Sequence, residues 1–176
     1  MKRAELEHIL RAAAGITGAD RFIVIGSQAI LGQFPNTPAE LLVSMEADLY
    51  SPRDPREAEL IEGSIGEGSP FHQTFGFFAH GVGEETATLP MGWKERLVPL
   101  ASKATGGATG LCLEVHDLAV SKLVAGRPKD EQFVDALFQH HLAKAETVRQ
   151  RLLETRLDER VREASDARLS RIVAKS

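Results

Sequence analysis

Glu46 and Asp48 stand two residues apart in the run Leu42-Val43-Ser44-Met45-Glu46-Ala47-Asp48-Leu49-Tyr50. Val43, Met45, Ala47 and Leu49 alternate with Ser44, Glu46 and Asp48, which is the period of a half-buried β-strand with its polar residues on one face. On a strand, residues i and i+2 have Cα atoms roughly 6.5–7 Å apart and point the same way. Two carboxylates so placed can share one or two Mg²⁺ ions, which take carboxylate and phosphate oxygens. The same pattern also serves a solvated strand face, so its meaning depends on the elements around it.

Upstream, Arg21-Phe22-Ile23-Val24-Ile25 has the short, continuously apolar character of a buried strand. Gly26-Ser27-Gln28-Ala29-Ile30-Leu31 follows it, with Ser27 a fitting N-cap for a helix running to Phe34 and closed by Pro35. A strand passing through a Gly-Ser turn into a helix aims backbone N–H groups and a positive helix end at one point, which suits phosphate. These residues equally make a plain tight turn and cap.

The remaining elements frame these two. Residues 3–14 carry Leu6, Ile9, Leu10 and Ala13 at helical spacing, with Gly15 and Gly18 as stops. Asp54, Pro55 and Glu57 predict the N-cap, N1 and N3 of a helix ending at Gly63 or Gly66. Short strands are expected at 75–79, 86–89 and 96–100. The loop Thr105–Gly110 lacks the Gly-Lys-Ser/Thr ending of a P-loop and reads as a hairpin turn. A strand over 111–115 would carry Glu114 as a third carboxylate. Asp117 is expected to cap a helix over 118–125 ended by Gly126, and a second helix is expected over 131–142. Residues 144–174, dense in Arg and Glu, predict one or two surface helices.

Composition narrows the function classes. A chain of 176 residues fits one medium domain, and its net charge of −4 gives no global reason for tight nucleic-acid binding. Cys112 is the only cysteine, so no intrachain disulfide can form and a reducing cytoplasm suits the chain. The N-terminal residues carry acids and lack an apolar signal core, and no apolar run is long enough to span a bilayer. Hydrolase chemistry finds little support. His140 and His141 diverge by about 100° on a helix, and His72, His80 and His116 lack ligand spacing and read as turn or surface residues. Ser27 has no G-x-S-x-G elbow, and Cys112 in its apolar run reads as a buried, inert thiol.

Taken in order, Gly26-Ser27 followed by Glu46-Ala47-Asp48 resembles the signature of the DNA polymerase β-like nucleotidyltransferase superfamily. The stretch His116-Asp117-Leu118-Ala119-Val120-Ser121-Lys122-Leu123-Val124-Ala125-Gly126-Arg127-Pro128-Lys129-Asp130 resembles a helical segment of small bacterial nucleotidyltransferase-like proteins, some uncharacterised and some of abortive-infection toxin–antitoxin systems. The resemblance implies an α/β (α+β) fold: a nucleotidyltransferase-like core over 1–115 with a small mixed sheet, and a helical region over 116–176 packing on it as one compact unit. It implies Mg²⁺-dependent transfer of a nucleoside monophosphate from NTP to a hydroxyl of RNA, protein or a small molecule. In that scheme Gly26 and Ser27 hold phosphates, while Glu46 and Asp48 bind two Mg²⁺ ions. Glu114 completes the catalytic carboxylates, and Lys122, Arg127 and Lys129 meet phosphate or acceptor. Lys122 and Arg127 could instead pair with Asp130 or Asp117. The first acid is Glu46 where the family more often has Asp, and Ser27 lies further from it than in minimal members. These departures leave open a catalytically inert module that binds a nucleotide or a partner protein, as within a toxin–antitoxin pair.

Overall fold

An amphipathic stripe builds the first helix of the computed structural model, which describes residues 1–175. α1 (Arg3–Thr17) buries Leu6, Ile9, Leu10 and Ala13 along one side. Gly15 is accommodated inside it. Gly18 ends it with φ at 70°, the left-handed region open to a residue without Cβ. β1 (Arg21–Val24) then runs with Phe22, Ile23 and Val24 all buried, as expected for a central strand.

The following turn differs from expectation. Gly26, not Ser27, is the N-cap, and Ser27–Ala29 forms a 3₁₀ turn before the single α-helical turn of α2 (Ile30–Gln33). The acid-bearing strand is also shorter than the alternation suggested. β2 (Glu46–Tyr50) begins at Glu46, and Val43 and Met45 are 76% and 49% exposed. The reason is pairing: β1 faces β2 near its far end, at Val24↔Leu49 and Ile23↔Tyr50, and β3 begins opposite Glu46, with the Phe78 N–H reaching back to the Met45 carbonyl at 3.0 Å. Alternation describes side-chain direction, and a strand needs a neighbour's hydrogen bonds as well.

α3 (Glu57–Ile65) starts after a turn in which the Asp54 carboxylate accepts the Arg56 N–H at 3.0 Å, so the helix opens later than Pro55 and ends at Gly66. α4 (Pro70–Phe75), capped by Ser69, takes Phe75 from the strand expected at 75–79, and β3 (Phe78–Gly81) follows it. The strand expected at 86–89 does not form; the nearest element is a 3₁₀ turn over Glu84–Thr86. β4 (Val98–Leu100) and β5 (Thr109–Cys112) complete a mixed five-stranded sheet in the order β3-β2-β1-β5-β4. β1 is parallel to β5 and antiparallel to β2; β2 is parallel to β3; β4 is antiparallel to β5. Residues Met1–Thr86 and Leu97–Leu113, which include every strand of this sheet, form one compact unit. Close backbone approaches tie helices to it: a Cβ on Gly110 would meet Leu10 of α1 at 2.8 Å, and one on Gly32 would meet Cys112 at 2.6 Å. Cys112 is fully buried there, and burial pushes its thiol up to about 12, as an inert core thiol.

Ala87–Arg96 and the residues from Glu114 onward form the second unit. It contains α5 (Val115–Ala125), α6 (Pro128–Gln139), α7 (Ala145–Leu153) and α8 (Glu159–Val173). Leu118, Leu123, Val134, Leu137, Val148, Leu152 and Leu169 are buried on these helices. Two expectations are corrected here. The strand ends at Cys112, so Glu114 is not on it; Glu114 is the N-cap of α5, and its side chain accepts the His116 N–H. Asp117 therefore does not cap. It lies in the first turn, fully buried, with Arg96 donating to it at 2.8 and 3.0 Å. Among the described residues, no helix is long and apolar enough to cross a membrane.

Candidate metal and nucleotide site

The sheet register brings the chemistry together. β2 and β3 run in parallel with Glu46 opposite Phe78, Ala47 opposite Ala79 and Asp48 opposite His80. Partners in register share a face. Ala47 and Ala79 are buried on one side, which leaves Glu46, Asp48, Phe78 and His80 on the other. The Nδ1 atom of His80 lies 3.3 Å from Oδ1 of Asp48, with the His80 side chain 51% exposed and that of Asp48 23% exposed. Glu46, Asp48 and His80 each offer one ligand atom, all within 4.8 Å of one another.

The Gly-Ser turn meets the same acid. Ile25 donates its N–H to the Asp48 carbonyl at 3.0 Å, extending the β1–β2 pairing by one residue and setting Gly26 beside the Asp48 side chain. A Cβ on Gly26 would sit 2.0 Å from Oδ2 of Asp48 and 2.8 Å from its Cγ. Gly26 has φ at −80°, so its backbone strains no other residue type; space alone demands glycine. Within the turn, Ala29 donates to the Gly26 carbonyl at 2.9 Å. The N–H groups of Ser27 and Gln28 ahead of it have no acceptor within the helix, as at any helix start. Gln28 is fully buried, and its Nε2 donates to the Ser44 carbonyl at 3.3 Å, which ties the turn to the segment entering β2.

This contact yields a direct expectation. Gly26→Ala should push the Asp48 carboxylate aside and weaken binding of a divalent cation by about 10–100-fold, the usual cost of disturbing the support of a metal ligand. Calorimetric titration of the variant reads this. Unchanged affinity with an unchanged melting temperature would show that the carboxylate position is immaterial.

Three of the residues foreseen in the second unit, Glu114, Lys122 and Arg127, have partners within it. Glu114 pairs with the His116 Nδ1 at 2.6 Å and accepts the His116 backbone N–H at 3.1 Å. Burial works against its ionised form, but His116 outweighs this and holds the Glu114 carboxyl below its usual range. Lys122 places its Nζ 3.3 Å from Oδ1 of Asp130 and 5.6 Å from the Phe133 ring. Arg127 donates to both oxygens of Asp130, at 2.6 and 3.2 Å. Asp130 is buried, and against that burial these two cations hold its carboxyl below the usual range. Lys122 and Arg127 thus both pair with Asp130, and Lys129 is exposed on α6.

A family model matches residues 4–173. Its description reads "Nucleotidyltransferase of unknown function (DUF6036)". The chain belongs to this family. No curated protein and no solved structure matches it. Membership gives the protein the general role of a nucleotidyltransferase and an NTP as the substrate its family name implies. The Glu46, Asp48 and His80 cluster is where a metal ion could be held in such a protein. The residues fit that use: two carboxylates and an imidazole converge, and one of the carboxylates packs directly on the glycine of the adjacent turn. His80 is the side chain that spacing in the sequence did not single out. Its signal was faint, a polar residue two positions from Phe78 with small Ala79 and Gly81 beside it.

Proposed function

We propose that this protein transfers a nucleoside monophosphate from an NTP to a hydroxyl acceptor, using Glu46 and Asp48 to hold divalent cations beside the Gly26-Ser27 turn. The observation that carries the reading is the packing of the Asp48 carboxylate against Gly26, which joins the two halves of the motif in one place. In the reaction an acceptor hydroxyl attacks the α-phosphorus and loses its proton to solvent. The bond to the β-phosphate oxygen breaks and pyrophosphate leaves. Mg²⁺, which two carboxylates and a triphosphate suit, would neutralise phosphate charge and stabilise the attacking and leaving oxygens when bound. Glu46 and Asp48 fix where that charge is received, since they project from one strand whose register is set on both sides. The N–H groups of Ser27 and Gln28 and the Ser27 hydroxyl would meet the β- and γ-phosphates. Positioning and electrostatics supply most of the rate in chemistry of this kind.

Incubation with each of the four labelled NTPs and Mg²⁺, with cell RNA and protein as acceptors, tests the reading. Label should enter one acceptor class and be absent with Glu46→Ala plus Asp48→Ala. Labelling that persists in the double variant, or none with any NTP, would reject it. One feature favours a second reading: Val43 and Met45 stand exposed directly before Glu46. An apolar pair there suits contact with a partner protein, as in an inert module of a toxin–antitoxin pair. Titration of NTP with and without Mg²⁺ separates the two, because a partner-only module binds no nucleotide.

A further inference from the structure

The face that carries Glu46 and Asp48 holds a third group of different chemistry. His80 is neither at a turn nor alone on the surface; it is the β3 residue directly opposite Asp48, one strand spacing away. Strand pairing fixes its Cα, and the register that pairs Ala47 with Ala79 in the core fixes which face it takes. Its ring lies against Asp48 at 3.3 Å while half its side chain remains open to solvent. Further down the same strand, Gly81 is held tightly: its N–H donates to Glu62 of α3 at 3.0 Å, and a Cβ there would collide with the Ala58 carbonyl at 2.0 Å. β3 is therefore clamped beside His80, and the imidazole is presented from a rigid element.

From this we infer that His80 is a direct nitrogen ligand of the cation held by Glu46 and Asp48, and that it turns the site toward a transition-metal ion such as Mn²⁺ over Mg²⁺. The inference rests on the proposed metal-dependent function and names the metal class of that same site. The geometry allows it. An octahedral ion with ligand bonds of about 2.1 Å spans opposite ligands at about 4.2 Å. The three ligand atoms lie within 4.8 Å of one another, so a small side-chain rotation closes them on one ion. The chemistry sets the preference. Carboxylate and water oxygens suit Mg²⁺, whereas imidazole nitrogen suits first-row transition ions, whose affinity for N/O sites rises from Mn²⁺ along the row. A site of three carboxylates would carry one more negative charge and no nitrogen. Replacing one acid by a neutral imidazole lowers the charge that attracts a hard ion and adds the ligand that a softer one favours. An alternative role exists for the same residue: His80 could hydrogen-bond Asp48 and orient it without touching the ion.

Pulsed electron paramagnetic resonance of Mn²⁺ bound to the full chain separates these roles. Inorganic tripolyphosphate, which has no base nitrogen, occupies the phosphate positions in the measurement. The expected result is ¹⁴N coupling from a bound imidazole, lost in His80→Asp although Mn²⁺ remains bound. Calorimetry should show the preference of the natural chain for Mn²⁺ over Mg²⁺ reduced several-fold in His80→Asp, whose all-oxygen site suits both ions. His80→Asp sets a third carboxylate opposite Asp48, so its melting is compared with that of the natural chain in the presence of the cation, which offsets the added repulsion. Bound Mn²⁺ that is released by Asp48→Asn yet shows no ¹⁴N coupling would overturn the inference and leave the proposed function standing. An unchanged Mn²⁺ preference in His80→Asp would do the same. Failure of Mn²⁺ and Mg²⁺ alike to bind, with or without tripolyphosphate, would instead remove the metal-dependent function and this inference with it.

Discussion

Asp48→Asn is expected to lower nucleotidyl transfer by at least about a thousandfold, equivalent to about 4 kcal/mol of transition-state stabilisation. The magnitude follows from position. Asp48 is the one residue that touches both neighbours of the site, with Gly26 against one carboxylate oxygen and His80 3.3 Å from the other. Its backbone is held as well, by the N–H of Ile25. Asparagine keeps the shape and that backbone bond but removes the charge, so the variant should fold normally and melt within a few degrees of the natural chain. Glu46→Gln should cost less, because the longer Glu46 side chain stands at the start of β2, opposite Phe78, and is less fixed by its neighbours than Asp48. Initial rates of label incorporation under saturating NTP, beside melting curves for each variant, give both comparisons. An Asp48→Asn protein that retains a tenth of the activity would mean that the acids do not carry the chemistry.

The second large effect concerns stability. Asp117 is fully buried in the helical unit, with Arg96 donating to both of its oxygens and Arg151 3.8 Å away. Arg96→Met should destabilise the protein by about 3–5 kcal/mol, because it leaves a buried charge without its bidentate partner. Burial already pushes the Asp117 carboxyl above its usual range, against the pull of Arg96 and Arg151. An acid whose folded pKa is raised binds a proton more readily folded than unfolded. Its penalty is present at high pH and disappears as pH falls through the folded value. Loss of Arg96 raises that value further, so the deficit of Arg96→Met should be greatest at neutral pH and shrink on acidification. Urea denaturation of both proteins at pH 7 and pH 5 reads this directly. The double variant Arg96→Met plus Asp117→Asn should recover part of the loss, since it removes the unpaired charge together with its partner. A deficit that is equal at both pH values would show that Arg96 acts through packing alone.

Some of this molecule was legible in the residues themselves. Local chemistry identifies the helix of Leu6, Ile9, Leu10 and Ala13, the buried run at 22–24 and the stops at Gly18 and Gly126, because each depends on side-chain period or on φ at one residue. The mixed α/β architecture and the nucleotidyltransferase family are what the resemblance of the Gly26-Ser27 turn, the Glu46-x-Asp48 strand and the segment at 116–130 implied. Strand ends were less legible. Val43 and Met45 have the right alternation yet stand exposed ahead of the strand, and Glu114 lies past the end of β5.

The site draws the same line. The sequence by itself determined that two carboxylates would project from one face of one strand, since the period of two is a property of the backbone. Which groups would meet them was decided by the tertiary structure, through the registers of β2 with β1 and with β3. Those registers set Asp48 against Gly26, more than twenty positions earlier in the chain, and His80 against Asp48, more than thirty positions later. A one-residue slip in either pairing would send the partner to the opposite face. Nothing local to His80 encodes that choice; it is made by the burial of Ala47 beside Ala79.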